Sequence, residues 1–164
     1  MKIIFLDIDG VLNHDLHYEE KSQDDRFDEV GLPLCNISNS SVLLLNKLTD
    51  DTGAKIVLSS SWRYGKTINE LKGIFRKAGI TGELIGKTPA LEIKQDWRYS
   101  VPRGLEIRVW LNNYSGTDGH LSYVILDDED DMLLYQKDVF LQVDGYCGLT
   151  PMICWRAKNI LNRN

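Results

Sequence analysis

Lys2-Ile3-Ile4-Phe5-Leu6-Asp7-Ile8-Asp9-Gly10-Val11-Leu12-Asn13 joins a short apolar run to a pair of acids. The run from Lys2 to Leu6 has the composition of a strand buried on both faces of a sheet. Two carboxylates then stand two positions apart where that strand should end. Alternation along a strand points Asp7 and Asp9 the same way. Gly10 lets the backbone turn sharply. Like charges crowded at such a place repel unless a cation lies between them. Ligands that are all oxygen favour a hard ion such as Mg2+. An Asp-x-Asp-Gly string is also an ordinary turn, so the rest of the chain has to decide between a turn and a site.

Ser41 is placed to cap a helix from Val42 to Asp51, with Leu44, Leu45 and Leu48 on one face and Gly53 at its end. Ala54 to Leu58 reads as a second buried strand, running into Ser59-Ser60-Ser61-Trp62-Arg63. Thr67 and Glu70 form a capping box for the next helix, whose apolar stripe is Ile68, Leu71 and Phe75. The triple serine is thereby left without capping work, and its hydroxyls suit phosphate oxygens. Pro102-Arg103-Gly104 opens a helix carrying Ile107, Trp110, Leu111 and Tyr114. A cation at a helix N-terminus opposes the helix dipole, which calls for an anion near Arg103. Leu121 to Leu126 is a further buried strand, ending in Asp127-Asp128-Glu129-Asp130-Asp131. Five consecutive acids repel one another unless something cationic is bound. A short helix, a strand from Val139 to Val143 and a last helix follow. Thr150 caps that helix, Pro151 opens it, and Ile153, Ala157, Ile160 and Leu161 form its inner face.

Strands and helices alternate throughout, which predicts an α/β fold: a central parallel sheet with helices on both faces. In such sheets functional groups gather at the C-terminal strand ends. Asp7, Asp9, Ser59, Asp127 and Asp128 all fall there.

The 164 residues fit one domain spanning 1–164, with a polar loop or small hairpin at about 14–40 and a small insertion at about 86–102. A net charge of −5 excludes a domain-wide field for nucleic acid or an anionic membrane, so any phosphate site must be local. The first residues meet a charge too early for a signal peptide, and no apolar run reaches the length of a membrane span. Cys35, Cys147 and Cys154 read as reduced thiols of a cytoplasmic protein. His14-x-x-His17 lacks further nearby ligands and reads as surface histidines. Gly86-Lys87-Thr88 resembles the end of a P-loop, but Thr81 stands where the first glycine is needed. A cysteine-dependent phosphatase needs an arginine six positions after its cysteine, and Ser41, Ile153 and Ile160 occupy those places.

In their order along the chain these pieces resemble the four motifs of the haloacid dehalogenase superfamily, the aspartate-nucleophile phosphohydrolases. The first is Asp7-x-Asp9-Gly-Val. The second is Ser59, with Ser60 as competitor. The third is Arg103, with Lys87 or Lys94 as fallbacks, and the fourth is Asp127-Asp128. Ser-Ser-Ser-Trp-Arg, Arg-Gly-Leu-Glu-Ile and Leu-Asp-Asp-Glu resemble more narrowly a branch whose domains occur in multi-domain RNA repair proteins and in stand-alone phage or bacterial proteins. The resemblance implies a three-layer Rossmann-like fold with a minimal cap or none. It further implies that Asp7 attacks phosphorus to give an aspartyl-phosphate while Asp9 serves as general acid and base. By the same resemblance, Mg2+ is held by Asp7, Asp9 (through its main-chain carbonyl) and Asp128, with Asp127 orienting or sharing. Ser59 or Ser60 and Arg103 hold the phosphoryl oxygens. The partner expected on this resemblance is a phosphorylated substrate, a nucleic-acid end or a nucleotide among the candidates, with Trp62, Arg63, Lys94, Trp97, Arg98 and Tyr99 as candidate clamps for a backbone phosphate and a stacked base. A small-molecule phosphatase is one alternative. A non-catalytic phosphate-binding or phospho-acceptor module is the other, and Asp9 favours the hydrolase over it.

Overall fold

The computed structural model describes residues 1–20, 37–91, 101–114 and 121–163. Strands β1 (Lys2–Leu6), β2 (Lys55–Leu58), β3 (Leu84–Lys87), β4 (Ser122–Asp127) and β5 (Phe140–Gln142) form one sheet in the order β3-β2-β1-β4-β5. Every pairing is parallel. The helices are α1 (Asp15–Glu20), α2 (Asn39–Thr52), α3 (Ile68–Lys77), α4 (Arg103–Asn113) and α5 (Pro151–Leu161). Among the described residues there is no second domain over the sheet's C-terminal edge, and no helix is long and apolar enough to cross a membrane.

The pleat sorts the core into two layers. Ile4 and Leu6 of β1 pack with Ile56, Leu58, Val124 and Leu126, under apolar residues of α2, α3 and α5. Ile3 and Phe5 point the other way and join Val57 and Ile125 beneath Ile107 of α4, with Trp110 edge-on to Phe5. This is the three-layer Rossmann-like arrangement that the alternation predicts.

Local chemistry explains most element ends, with some departures from expectation. Ser38, not Ser41, caps α2, and its side chain accepts the Ser41 N–H. Moving the cap upstream lengthens the helix and buries Ser41. The Thr67–Glu70 capping box and the Thr150-Pro151 start of α5 are present as expected. Ser60 does have capping work, since it caps a short 3-10 turn from Ser61 to Arg63 by accepting the Trp62 N–H. The short helix expected after the acidic run is a 3-10 turn, Leu134–Gln136. Residues 13–20 are not a bare loop but carry α1. His14 is buried rather than on the surface. Its ring lies so close to Gly148 that a Cβ there would stand 2.4 Å from Cδ2. Cys147 and Cys154 are free thiols, and Cys35 lies outside the described residues.

Arg63 locks the turn after β2 into the fold. Its side chain is 1% exposed and pairs with Glu106 of α4, itself buried. Arg63 Nη1 also donates to the Ser59 and Ser60 carbonyls at 2.9 and 2.8 Å, and Nε donates to the Thr88 carbonyl at 3.2 Å. Glu106 in turn accepts the Leu91 N–H at 3.0 Å. Removing one member of a buried pair strands the other charge in a dry site. Arg63→Ala should therefore lower the unfolding free energy by about 3–5 kcal/mol. Urea titration checks this, and the double variant Arg63→Met/Glu106→Leu should lose less than the single one.

Candidate active site

Register fixes which side chains meet at the C-terminal edge. Leu6 pairs with Leu58 on one side and with Leu126 on the other. The ladder then runs one step further, with Ser59 N–H bonding to Leu6 O and Asp7 N–H to Leu126 O, both at 2.9 Å. Asp7, Ser59 and Asp127 thus continue the Phe5, Val57 and Ile125 row, on the face that α4 covers. The first turn of α4 meets them with Arg103.

Arg103 Nη2 lies 3.6 Å from Asp7 Oδ1, and its Nε lies 3.6 Å from Asp127 Oδ2. The anion that a cation at this helix N-terminus calls for is therefore supplied by strand-end carboxylates. Asp131 adds to it by accepting the Arg103 backbone N–H at 2.8 Å. Asp128 reaches over Gly10, whose positive φ of 71° and missing side chain make the approach possible: a Cβ there would sit 2.3 Å from Asp128 Oδ2. Asp7, Asp127 and Asp128 each offer an oxygen within 4.8 Å of the others. Only Asp127, Asp128 and Asp131 of the five acids do local work. Glu129 and Asp130 are exposed, which corrects the expectation that the whole run needs a cation.

This crowding marks the proton affinities. Burial pushes the Asp7 carboxyl up to about 7, with Arg103 opposing and Asp9 adding to the rise. Burial likewise pushes Asp127 up to about 8, reinforced by Asp7 and opposed by Arg103. Asp128 is raised chiefly by burial as well. Such a donor set, all oxygen and short of positive charge, fits a hard divalent cation.

The two serines divide their labour. The Ser60 hydroxyl hydrogen-bonds Asp7 and caps the turn, whereas Ser59 Oγ is buried without a hydrogen-bond partner. Arg103 Nη1 and Asp127 Oδ2 are buried without one as well. Asp9 stands apart from the three clustered carboxylates, exposed and bonded to the turn after β2. Lys87 does not reach Asp7: its ammonium donates to the Arg63 and Lys66 carbonyls.

The proposed clamp is changed by the structure. Arg63 is turned inward and committed to Glu106 and backbone carbonyls, so it is not available to a substrate. Trp62 is half-buried against the larger core cluster, with its indole N–H on Asp9. Lys94, Trp97, Arg98 and Tyr99 lie outside the described residues.

Compared with known families, residues 3–152 match the model of the HAD domain in Swiss Army Knife RNA repair proteins. The chain belongs to that family. No curated protein and no solved structure gives a significant match. Within this haloacid dehalogenase domain, the structure gathers Asp7, Ser59, Ser60, Arg103, Asp127 and Asp128 at one edge, with Asp9 beside them. Sequence reasoning missed the partners of Asp9 and the cap that Asp131 supplies to α4. Asn13, four residues after Asp9 and adjacent to its turn, was a visible signal; the indole of Trp62 was not.

The raised carboxyls set a pH dependence. Above the ordinary carboxyl value of 3.8 the unfolded chain sheds protons that folded Asp7 and Asp127 keep. Folding then takes up protons, so stability falls as pH rises from about 4 to about 8. Asp51, Glu70 and Glu83, whose values are lowered, act below that window. Chelator-treated protein should show a falling Tm across it, and Mg2+ should raise Tm most at the upper end. A Tm that rises with pH there contradicts the charge assignment.

Proposed function

We propose that this domain is a Mg2+-dependent phosphomonoester hydrolase that works through an aspartyl-phosphate on Asp7. One observation carries the reading. Donors without a hydrogen bond (Ser59 Oγ and Arg103 Nη1) and an acceptor without one (Asp127 Oδ2, which only faces Arg103 Nε at 3.6 Å) lie buried beside a nucleophile, in a cluster short of positive charge. The donors suit phosphoryl oxygens and the acceptor suits a cation. Asp7, Asp128 and the Asp9 carbonyl would hold Mg2+, with Asp127 orienting or sharing it. When bound, the ion supplies positive charge that keeps Asp7 ionised and offsets charge on the phosphoryl oxygens.

An Asp7 oxygen forms a bond to phosphorus as the ester oxygen leaves, and Asp9 gives that oxygen its proton. Water then attacks the same phosphorus, Asp9 takes the proton back, and the bond between Asp7 and phosphorus breaks to release phosphate. Arg103 and Ser59 hold the phosphoryl oxygens in place while charge shifts between attacking and leaving atoms.

For the substrate we favour a phosphate at a nucleic-acid end or on a nucleotide, in keeping with the RNA repair proteins in which this family's domains occur. A single domain over 1–164, with no second domain over the sheet's C-terminal edge among the described residues, would leave the site open. A cytoplasmic location fits the same reading. With Arg63 and Trp62 engaged in the fold, any clamp falls to the stretch that includes Trp97 and Arg98.

Asp7→Asn and Asp9→Asn should each cut phosphate release at least about 100-fold without loss of fold. Excess chelator should abolish it. A well-folded Asp7→Asn protein with near-normal turnover rejects the mechanism, and Asp7 phosphorylation without turnover points to a phospho-acceptor. A phosphorylated oligonucleotide should be turned over faster than the matching mononucleotide at low salt and lose that advantage as salt rises. Equal or better turnover of the mononucleotide at every salt concentration favours a small-molecule phosphatase.

A further inference from the structure

Asp9 is held from the turn after β2 rather than from its own strand. Trp62 Nε1 donates to both carboxylate oxygens at 3.0 Å each. Asn13 Nδ2 donates to Oδ1 at 2.7 Å, and the Ser61 hydroxyl donates to Oδ2 at a longer 3.4 Å. Without these contacts an exposed aspartate would spread over its staggered rotamers. The indole is itself a fixed post. Trp62 packs against the larger core cluster, its backbone N–H donates to Ser60 Oγ, and the next residue is the buried Arg63. One short turn therefore touches both carboxylates of the first motif: Ser60 bonds to Asp7, while Ser61 and Trp62 bond to Asp9.

We propose that Trp62 is a positioning residue for Asp9, fixing the side chain that exchanges the proton with the leaving group and the hydrolytic water. This assignment rests on the hydrolase reading above. It follows from the number and kind of donors. Asn13 and Trp62 can only donate through these nitrogens, so both N–H groups commit Oδ1 to accepting. Oδ2 shares the indole N–H with a hydroxyl that accepts as readily as it donates, so Oδ2 is the oxygen that can carry a proton. A misplaced acid–base group costs rate even when it is chemically intact.

Trp62→Phe keeps an aromatic ring, though a smaller one, and removes the N–H. The comparison uses two phosphomonoesters with Mg2+: an alkyl phosphate, whose leaving oxygen needs a proton, and nitrophenyl phosphate, whose leaving group departs without one. kcat/KM covers the steps through attack by Asp7. It should fall at least about 10-fold for the alkyl ester and less than about 3-fold for the aryl ester. Acid quenching during aryl ester turnover should trap more phosphorylated protein than in the wild type, because water attack also needs Asp9 in place. Equal loss on both esters, or no loss on either, overturns the assignment while leaving the hydrolase reading intact. Wild-type protein that turns over neither ester counts against the hydrolase reading itself. Should Trp62→Phe fail to fold, the indole N–H signals of the chain's four tryptophans are compared between wild type and Asp9→Asn by NMR. One of them, assigned to Trp62, should move on loss of its charged acceptor. An unmoved Trp62 signal overturns the assignment.

Discussion

Asp7, Asp127 and Asp128 repel one another, and much of the structure around them is an answer to that repulsion. Parallel pairing puts the first and fourth motifs on neighbouring strands, so the carboxylates meet once the register is set. Arg103 offers one guanidinium between two of them, at 3.6 Å from each. One positive charge does not balance three carboxylates, two of them buried, and burial together with their mutual repulsion raises the proton affinities of Asp7 and Asp127. The sheet edge thus holds an attraction for positive charge that folding alone does not satisfy. Its strength comes from burial, because the same acids in water would feel one another weakly.

A second charged group shows the opposite design. Arg63 and Glu106 are as buried as the site, yet their donors and acceptors are spent on each other and on backbone groups. That network holds the turn after β2 against α4, and α4 in turn carries Arg103. Arg63 fixes the scaffold, whereas Arg103 faces the clustered carboxylates with its Nη1 free of any hydrogen bond. Both face the same helix, three residues apart at their points of contact, Arg103 and Glu106.

Much of the fold and the outline of the site were legible from residues. The run from Lys2 to Leu6 is β1, and the alternation of apolar strands and striped helices yields the three layers. Asp7, Arg103, Asp127 and Asp128 were legible because strand ends and a helix start are local features. What was not legible depended on distant contacts. Ser41 and Ser38 are both good caps, and only packing chooses between them. Arg63 read as a clamp for a backbone phosphate because a sequence shows charge but not the partner that permits burial, here Glu106. Trp62 read as a stacking platform because an indole is usually judged by its ring, whereas here its N–H makes the contact. Gly10 read as a turn residue. Its second role, leaving room for Asp128, needs a strand more than a hundred residues away.

The central place of β1 has a consequence for how the molecule comes into being. Ile3 is registered with Lys55 on one side and with Tyr123 on the other, so the first of the five strands must wait for one made much later. Contacts of such long sequence separation slow folding, because the chain pays loop-closure entropy before they form. During synthesis, β1 can pair with β2 while its other edge stays open until β4 emerges. An open, apolar strand edge invites pairing with another chain. Asp7 is therefore present early, but Asp127 and Asp128 arrive only with β4. The carboxylate cluster and the closed sheet form together, and a nascent chain stopped short of β4 carries a sticky edge and an incomplete cluster.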